Sequence, residues 1–269
     1  MPFGNAHLTA TKQDLIAALV QKELISSQVL APSVRDVSQF AVKGAETIAF
    51  PRAGSFTPEN RASAAAASLL NVTYAVDTLT PNKRYTVSYA IDPMDEVESS
   101  INVEADLAGR AARALGKQVD TDIITVLEAG VATTTAGAIS KDIILEMRKT
   151  LLINEADLEN MYLAIGPQSE SIMLGISEFV EAQKYGSAVI PNGVMGTIYG
   201  VKVIRSSQLG TNVFYMYDSQ GIAIGFQKGL MMGERPAPEY GSTAVLRTWD
   251  HKYGVAALQN NTLIIKDNN

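Results

Sequence analysis

One stretch, residues 93–130, constrains what the chain can become: PMDEVESSINVEADLAGRAARALGKQVDTDIITVLEAG. Apolar residues recur at Val97, Ile101, Ala105, Ala108, Ala112, Leu115, Val119, Ile123, Val126 and Leu127. Steps of three and four keep them on one face of a helix. Pro93 suits a first helical turn, and Asp95, Glu96 and Glu98 favour the positive end of the helix dipole. Gly130 ends it. A helix of this length is a rod of roughly 45–50 Å. A ball of 269 residues has a radius of gyration of only about 18 Å. The rod therefore spans the molecule, and a flat or elongated body fits it better than a ball.

The composition is that of a folded chain, with 46% hydrophobic and 19% charged residues. There is no cysteine, which excludes disulfides, thiolate metal sites and cysteine nucleophiles. A net charge of −6 argues against a basic sleeve gripping nucleic acid, though an acidic protein can enclose DNA without holding it. Met1–Thr11 lacks the pattern of an export signal. The long uncharged runs, Ala62–Val76 and Tyr185–Val201, are rich in Ala and Ser or broken by Pro and Gly. The expectation is a soluble, cytoplasmic chain with no membrane partner.

Before the rod, residues 12–25 predict an amphipathic helix with Leu15, Ile16, Leu19, Val20 and Leu24 on one side and Thr11 as its cap. It reads equally as a surface helix or as an arm docking on a neighbouring subunit. Strands are expected at 45–50, 70–76 and 84–91, with a turn at Thr80–Lys83. The first two would form a long hairpin. A bare projecting hairpin is only marginally stable alone, so this one is suited to lie on another chain.

After the rod, residues 131–139 read as a link, and Ser140 caps a helix over 141–152 with Ile143, Ile144, Met147 and Leu151 inward. A strand over 161–165, a helix over 168–180 and strands over 197–205, 213–217 and 222–226 follow. Residues 229–241 predict a loop, and strands over 244–249, 254–258 and 263–266 close an α+β chain.

Motifs for chemistry are missing. The sequence has no nucleophile elbow, phosphate loop or HExxH. Gly193 and Gly196 read as turn residues and not as a dinucleotide fingerprint. The two histidines, His7 and His251, suit surface or packing roles. Asp120-Thr-Asp122 resembles the start of a calcium loop, but Ile124, Thr125 and Val131 occupy positions where ligands, glycine and glutamate belong. No metal or cofactor is expected. Both aspartates read as exposed carboxylates, with Asp120 also able to cap or salt-bridge. Arg110, Arg113 and Lys117 share the rod at helical spacing. They read as a solvated face or as partners for carboxylates on other copies.

The stretches LNVTYAVDTLTPNKRYTVSYAIDPMDEVES, LAGRAARALGKQVDTDII, MYLAIGPQSESIML, GTIYGVKVIRSSQL, GIAIGFQKGL and RTWDHKYGVAAL occur in an order that resembles the tailed-bacteriophage major capsid protein. The resemblance covers nearly the whole chain. It implies the Hong Kong 97-like α+β fold, shared with encapsulins: an N-terminal arm (1–44), an extended β-hairpin loop (45–92), a peripheral domain with the spine helix (93–137 and 241–255) and a mixed axial domain (138–240 and 256–269). It implies self-assembly into hexamers and pentamers of an icosahedral head around double-stranded DNA. Scaffolding, portal and decoration proteins would be separate partners. The location would be the virion, assembled in the host bacterial cytoplasm. Candidate contacts between subunits are Arg52, Glu59, Arg61, Lys83, Arg84, Arg110, Arg113, Asp120 and Asp122. Some relatives crosslink a loop lysine to an asparagine. Lys43 and Lys83 are available here, without an identifiable asparagine and glutamate. The alternatives are an encapsulin-type shell and a soluble α+β enzyme or ligand-binding protein with a pocket in the glycine-rich second half.

Overall fold

The structure is a computed structural model that describes residues 6–41, 46–54, 58, 60, 72–92, 103–132, 137–175, 194–241, 243–258 and 263–266. The rod is helix α2, described over Val103–Glu128. Its 26 residues make about 39 Å of helix. Residues 93–102, where the sequence places its start, lie outside the described residues.

The two halves of α2 do different work. The N-terminal half is lined with the small buried residues Ala108, Ala111 and Ala112. They admit helix α1 (Ala6–Ser27) on one side and the indole of Trp249 on the other. Val20 of α1 is fully buried in this cluster. At Gly116 a Cβ would stand 1.9 Å from the Ser27 hydroxyl oxygen, so the bare glycine lets the end of α1 rest on the spine. The α1 helix starts earlier than expected and runs through Thr11, which is not its cap. Leu19 is 44% exposed and does not join the buried face.

The C-terminal half of α2 carries Val119, Ile123 and Leu127, which pack between two sheets. Chain order supplies the strands as β1 (Arg35–Asp36), β2 (Ile48–Ala53), β3 (Tyr74–Leu79), β4 (Lys83–Ile91), β5 (Val131–Ala132) and β6 (Met161–Ile165). They continue as β7 (Val194–Ile198), β8 (Val201–Arg205), β9 (Phe214–Asp218), β10 (Ile222–Pro236), β11 (Val245–Ala257) and β12 (Ile264–Lys266). One sheet has the order β1-β10-β11-β4 and the other β5-β12-β9-β6-β8-β7, while β2 and β3 form a two-stranded sheet among the described residues.

The six-stranded sheet is buried on both faces, and its two-residue alternation sorts the side chains. Leu163, Ile165, Val203, Phe214, Met216 and Ile265 face helix α3 (Lys141–Ile153) and its Ile143, Ile144, Met147 and Leu151. Ala164, Ile204, Tyr215, Tyr217 and Ile264 face the spine. Ser140 accepts the Ile143 amide, so the expected cap on α3 is present. Helix α4 is short, Pro167–Met173. The expected helix beyond 175 lies outside the described residues.

In the other sheet, β4 alternates half-buried Tyr85, Val87 and Tyr89 with outward Arg84, Thr86 and Ser88. Trp249 of β11 pairs with Val87 and donates its indole N–H to the Tyr89 hydroxyl at 3.1 Å.

Several expected boundaries differ. The β2 strand runs through Pro51 opposite Val76, which a two-stranded ribbon tolerates because proline needs no outer partner there. Residues 197–205 are a hairpin of β7 and β8 that turns at Tyr199 and Gly200, both at positive φ. Gly196 sits inside β7 at a register shift and is not a turn residue. The link after the rod opens as β5, paired in parallel with β12. The loop expected over 229–241 is largely strand, since β10 continues to Pro236 against a β11 that runs unbroken through His251.

Replacing Gly116 with valine should drive the side chain into Ser27 and lift α1 from the spine. The expected cost is about 1–3 kcal/mol in denaturant unfolding, with earlier proteolysis of α1. Wild-type stability with α1 equally protected would contradict this packing.

Candidate functional site

Successive residues of a helix point about 100° apart, so residues two apart point to nearly opposite sides. Asp120 and Asp122 use this spacing on α2. Both are buried, 1% and 4% exposed, which corrects the expectation of two exposed carboxylates.

Asp120 faces the turn after α1. It accepts the backbone N–H groups of Val29 at 2.8 Å and Leu30 at 3.1 Å. These amides open the 3₁₀ turn Ala31–Ser33 that follows α1, so a carboxylate from a distant helix supplies the turn's missing acceptor. Ser33 then donates to the Leu30 carbonyl at 2.6 Å and meets the buried Tyr217 hydroxyl. Burial pushes Asp120 up to about 6, against the pull of the Val29, Leu30 and Ala31 amides.

Asp122 faces β4 and β11. It accepts from Lys83 Nζ at 2.9 Å, Tyr253 at 2.7 Å and Tyr85 at 3.3 Å. Burial first, and then Asp122 itself, push the Tyr253 hydroxyl well above the usual tyrosine range. Lys83 is the first residue of β4, directly after the crossing from β3. That crossing rests on Gly254, where a Cβ would come within 2.5 Å of the Thr80 carbonyl oxygen. Between the two aspartates, Thr121 points outward and bonds Gln208 on the six-stranded-sheet side.

The remaining candidates do not converge. Arg84 binds Asp250 at 2.8 Å on the outer face of the sheet. The Thr86 hydroxyl and Arg84 hold the Asp250 carboxyl below its usual range. Arg110 pairs with Asp106 one turn away, and Arg113 pairs with Glu23 of α1 at 3.1 Å. With the arginines 73% and 63% exposed, each pair contributes about 0–1 kcal/mol. Arg52 lies half-buried on β2, away from this cluster. Glu59, Arg61 and Lys43 lie outside the described residues. Asp120, Asp122 and Lys83 thus find their partners inside their own subunit. A crosslink through Lys83 would first have to break its pair with Asp122.

Sequence reading missed the Glu104–Arg247 pair, whose side chains are 3% and 11% exposed. A signal existed, because Glu104 stands one turn before Ala108 on the apolar stripe. Arg247 also reaches Glu234 of β10 at 3.6 Å. Among the described residues no group of acidic or histidine side chains could hold a metal ion, and no helix is long and apolar enough to cross a membrane.

A chain organised on one spine, with helix α1 packed along it, matches a known family. A profile for phage capsid proteins matches residues 17–259. The chain belongs to the phage capsid protein family. Solved structures share its fold, the Hong Kong 97-like capsid fold. A structure from Mycobacterium phage Che8 is 19% identical, with a TM-score of 0.72, over 90% of this chain and 91% of the other. The mature capsid of bacteriophage PhiM1 is 13% identical, TM-score 0.65, over 90% and 87%. The virus-like particle from Pyrococcus furiosus is 10% identical, TM-score 0.64, over 93% and 96%. No curated protein matches in sequence. This capsid protein is a structural, major capsid protein.

The Asp120 pKa gives the capsid protein a pH signature. It lies above the ordinary 3.8, so the protonated form is favoured in the fold. Its contribution is complete below pH 3.8 and is lost as pH rises through about 6. Asp120→Asn keeps an acceptor and removes the titration. The variant should gain stability relative to wild type from pH 4 to 8 in denaturant melts. A constant difference across that range would contradict the burial argument.

Proposed function

We propose that the chain builds an icosahedral phage head from hexamers and pentamers and encloses double-stranded DNA. The observation that carries this reading is the β2–β3 ribbon. It pairs with no other strand among the described residues, and Tyr74 and Val76 are 67% and 55% exposed on it. Such a ribbon gains its stability by lying on a surface, and a neighbouring tile supplies one. Many such contacts add up through closed symmetry and multivalency.

The division of labour follows from this reading. Residues 1–44 act as the arm and 45–92 as the loop. Residues 93–137 and 241–255 form the peripheral domain, and 138–240 and 256–269 form most of the axial domain. The pairing of β10 with β11 favours moving 222–236 to the peripheral side. Arg52, Glu59, Arg61, Arg84, Arg110 and Arg113 remain candidates for contacts between copies, because the described surface pairs are exposed and exchangeable. Arg113 has a second task, since its pair with Glu23 also steadies the arm. The net charge of −6 suits a wall that leaves DNA mobile. Scaffolding, portal and decoration proteins are separate partners, and assembly takes place in the host bacterial cytoplasm.

Deletion of residues 52–68 tests the loop's role. The expected products are folded monomers or capsomers that form no shells by electron microscopy, while the full chain forms them. Shells of unchanged size from the deleted chain would refute the loop assignment. A full chain that stays monomeric under all assembly conditions would refute the head itself.

A further inference from the structure

The sheet beneath the spine is interrupted at one place. Strands β10 and β11 pair regularly from Ile222 opposite Ala257 to Phe226 opposite Tyr253. The register then shifts between Phe226 and Lys228 and again between Lys228 and Met231, before the ribbon continues to Pro236 opposite Val245. Each shift places one extra residue in β10, and such bulges bend a ribbon and increase its twist. Across from them on β11 is His251. On its other side β11 pairs with β4 without a shift, and His251 is opposite Tyr85.

His251 is 2% exposed, and neither ring nitrogen has a hydrogen-bond partner. Its ring meets Tyr253 edge-on at 4.9 Å and Tyr85 at 6.3 Å between centroids. Both tyrosines donate to Asp122. The charged and titratable groups around it come from each element packed there. The spine provides Asp122, and β4 provides Lys83, Arg84 and Tyr85. Its own strand provides Asp250, Lys252 and Tyr253, and β10 provides Lys228 opposite Lys252. The two carboxylates are already engaged, Asp122 by Lys83 and the tyrosines, and Asp250 by Arg84 and Thr86. A neutral imidazole fits this aromatic niche. An imidazolium there has no free acceptor, and an unpaired buried charge is costly.

We propose that His251 is a proton-operated joint between the spine and the bent β10–β11 ribbon. On taking a proton, its ring draws Asp122 away from Tyr253 and Tyr85, and the base of the loop at Lys83 turns relative to the spine. Burial lowers the His251 pKa, against the pull of Asp122 and Asp250. The neutral form is therefore the folded one, and its stability is retained at neutral pH and lost as pH falls below the ordinary histidine value of 6.5. Acidification would thus change the angle at which residues 45–92 leave their subunit. The joint belongs to one subunit and does not depend on the proposed shell.

The chain's one tryptophan, Trp249, lies on the same face of β11 two residues away and reports the joint. Emission of the full-length chain is followed from pH 8 to pH 5 in Asp120→Asn, alone and with His251→Gln or His251→Phe added. Asp120→Asn, which removes the Asp120 titration, should show a one-proton transition with a midpoint below 6.5, and adding either His251 variant should abolish it. A flat Asp120→Asn trace down to the onset of unfolding, or a transition that survives when either His251 variant is added to Asp120→Asn, overturns the proposal. Should the variants not fold, imidazole NMR of the wild type decides, with His7→Gln for assignment. His251 titrating together with the Tyr253 ring signals supports the joint. His251 titrating with unmoved tyrosine signals overturns it.

Discussion

Two buried aspartates on one helix set where the neighbouring segments sit on it. Asp120 and Asp122 stand on nearly opposite sides of α2 and bind the turn after the arm helix and the first residue of β4. Neither partner could be fixed by apolar packing alone, because a backbone amide and a lysine must be given an acceptor when they leave water. The spine is therefore the common origin from which both the turn after α1 and the start of β4 are positioned. Hydrophobic contacts add strength, but the aspartates set direction.

The surrounding packing serves the same geometry. Small residues in the first half of α2 admit α1 and Trp249 closely. Branched residues in the second half join the two sheets into one body. The buried pair of Glu104 and Arg247 ties the spine's start to the long ribbon. Breaking such a pair costs more than forming it gains, so it favours one arrangement of helix on sheet. A tile in a closed lattice needs this definition, since small angular errors accumulate over many copies.

Local period made much of this legible in the sequence. The rod, the Ser140-capped α3 and the alternation of β4 follow from residues a few positions apart. The continuous β10 was hidden because Gly229, Gly233 and Pro236 read as loop, whereas its pairing comes from β11 in the opposite arm of a long ribbon. Pro51 looked like a strand end and is not one, because edge position is a tertiary property. The burial of Asp120 and Asp122 was unreadable for the same reason. Their partners at Val29, Leu30, Lys83 and Tyr253 lie far away in sequence.

The central claim is that the spine fixes the turn after α1 and the start of β4 within each subunit, before any neighbour arrives. Amide hydrogen exchange over residues 28–34 and 83–91, compared between the free subunit and its assembled form, tests it most directly. Equal, strong protection in both states is the predicted result. Rapid exchange in the free subunit, with protection gained only on assembly, would show that neighbours and not Asp120 and Asp122 set these positions.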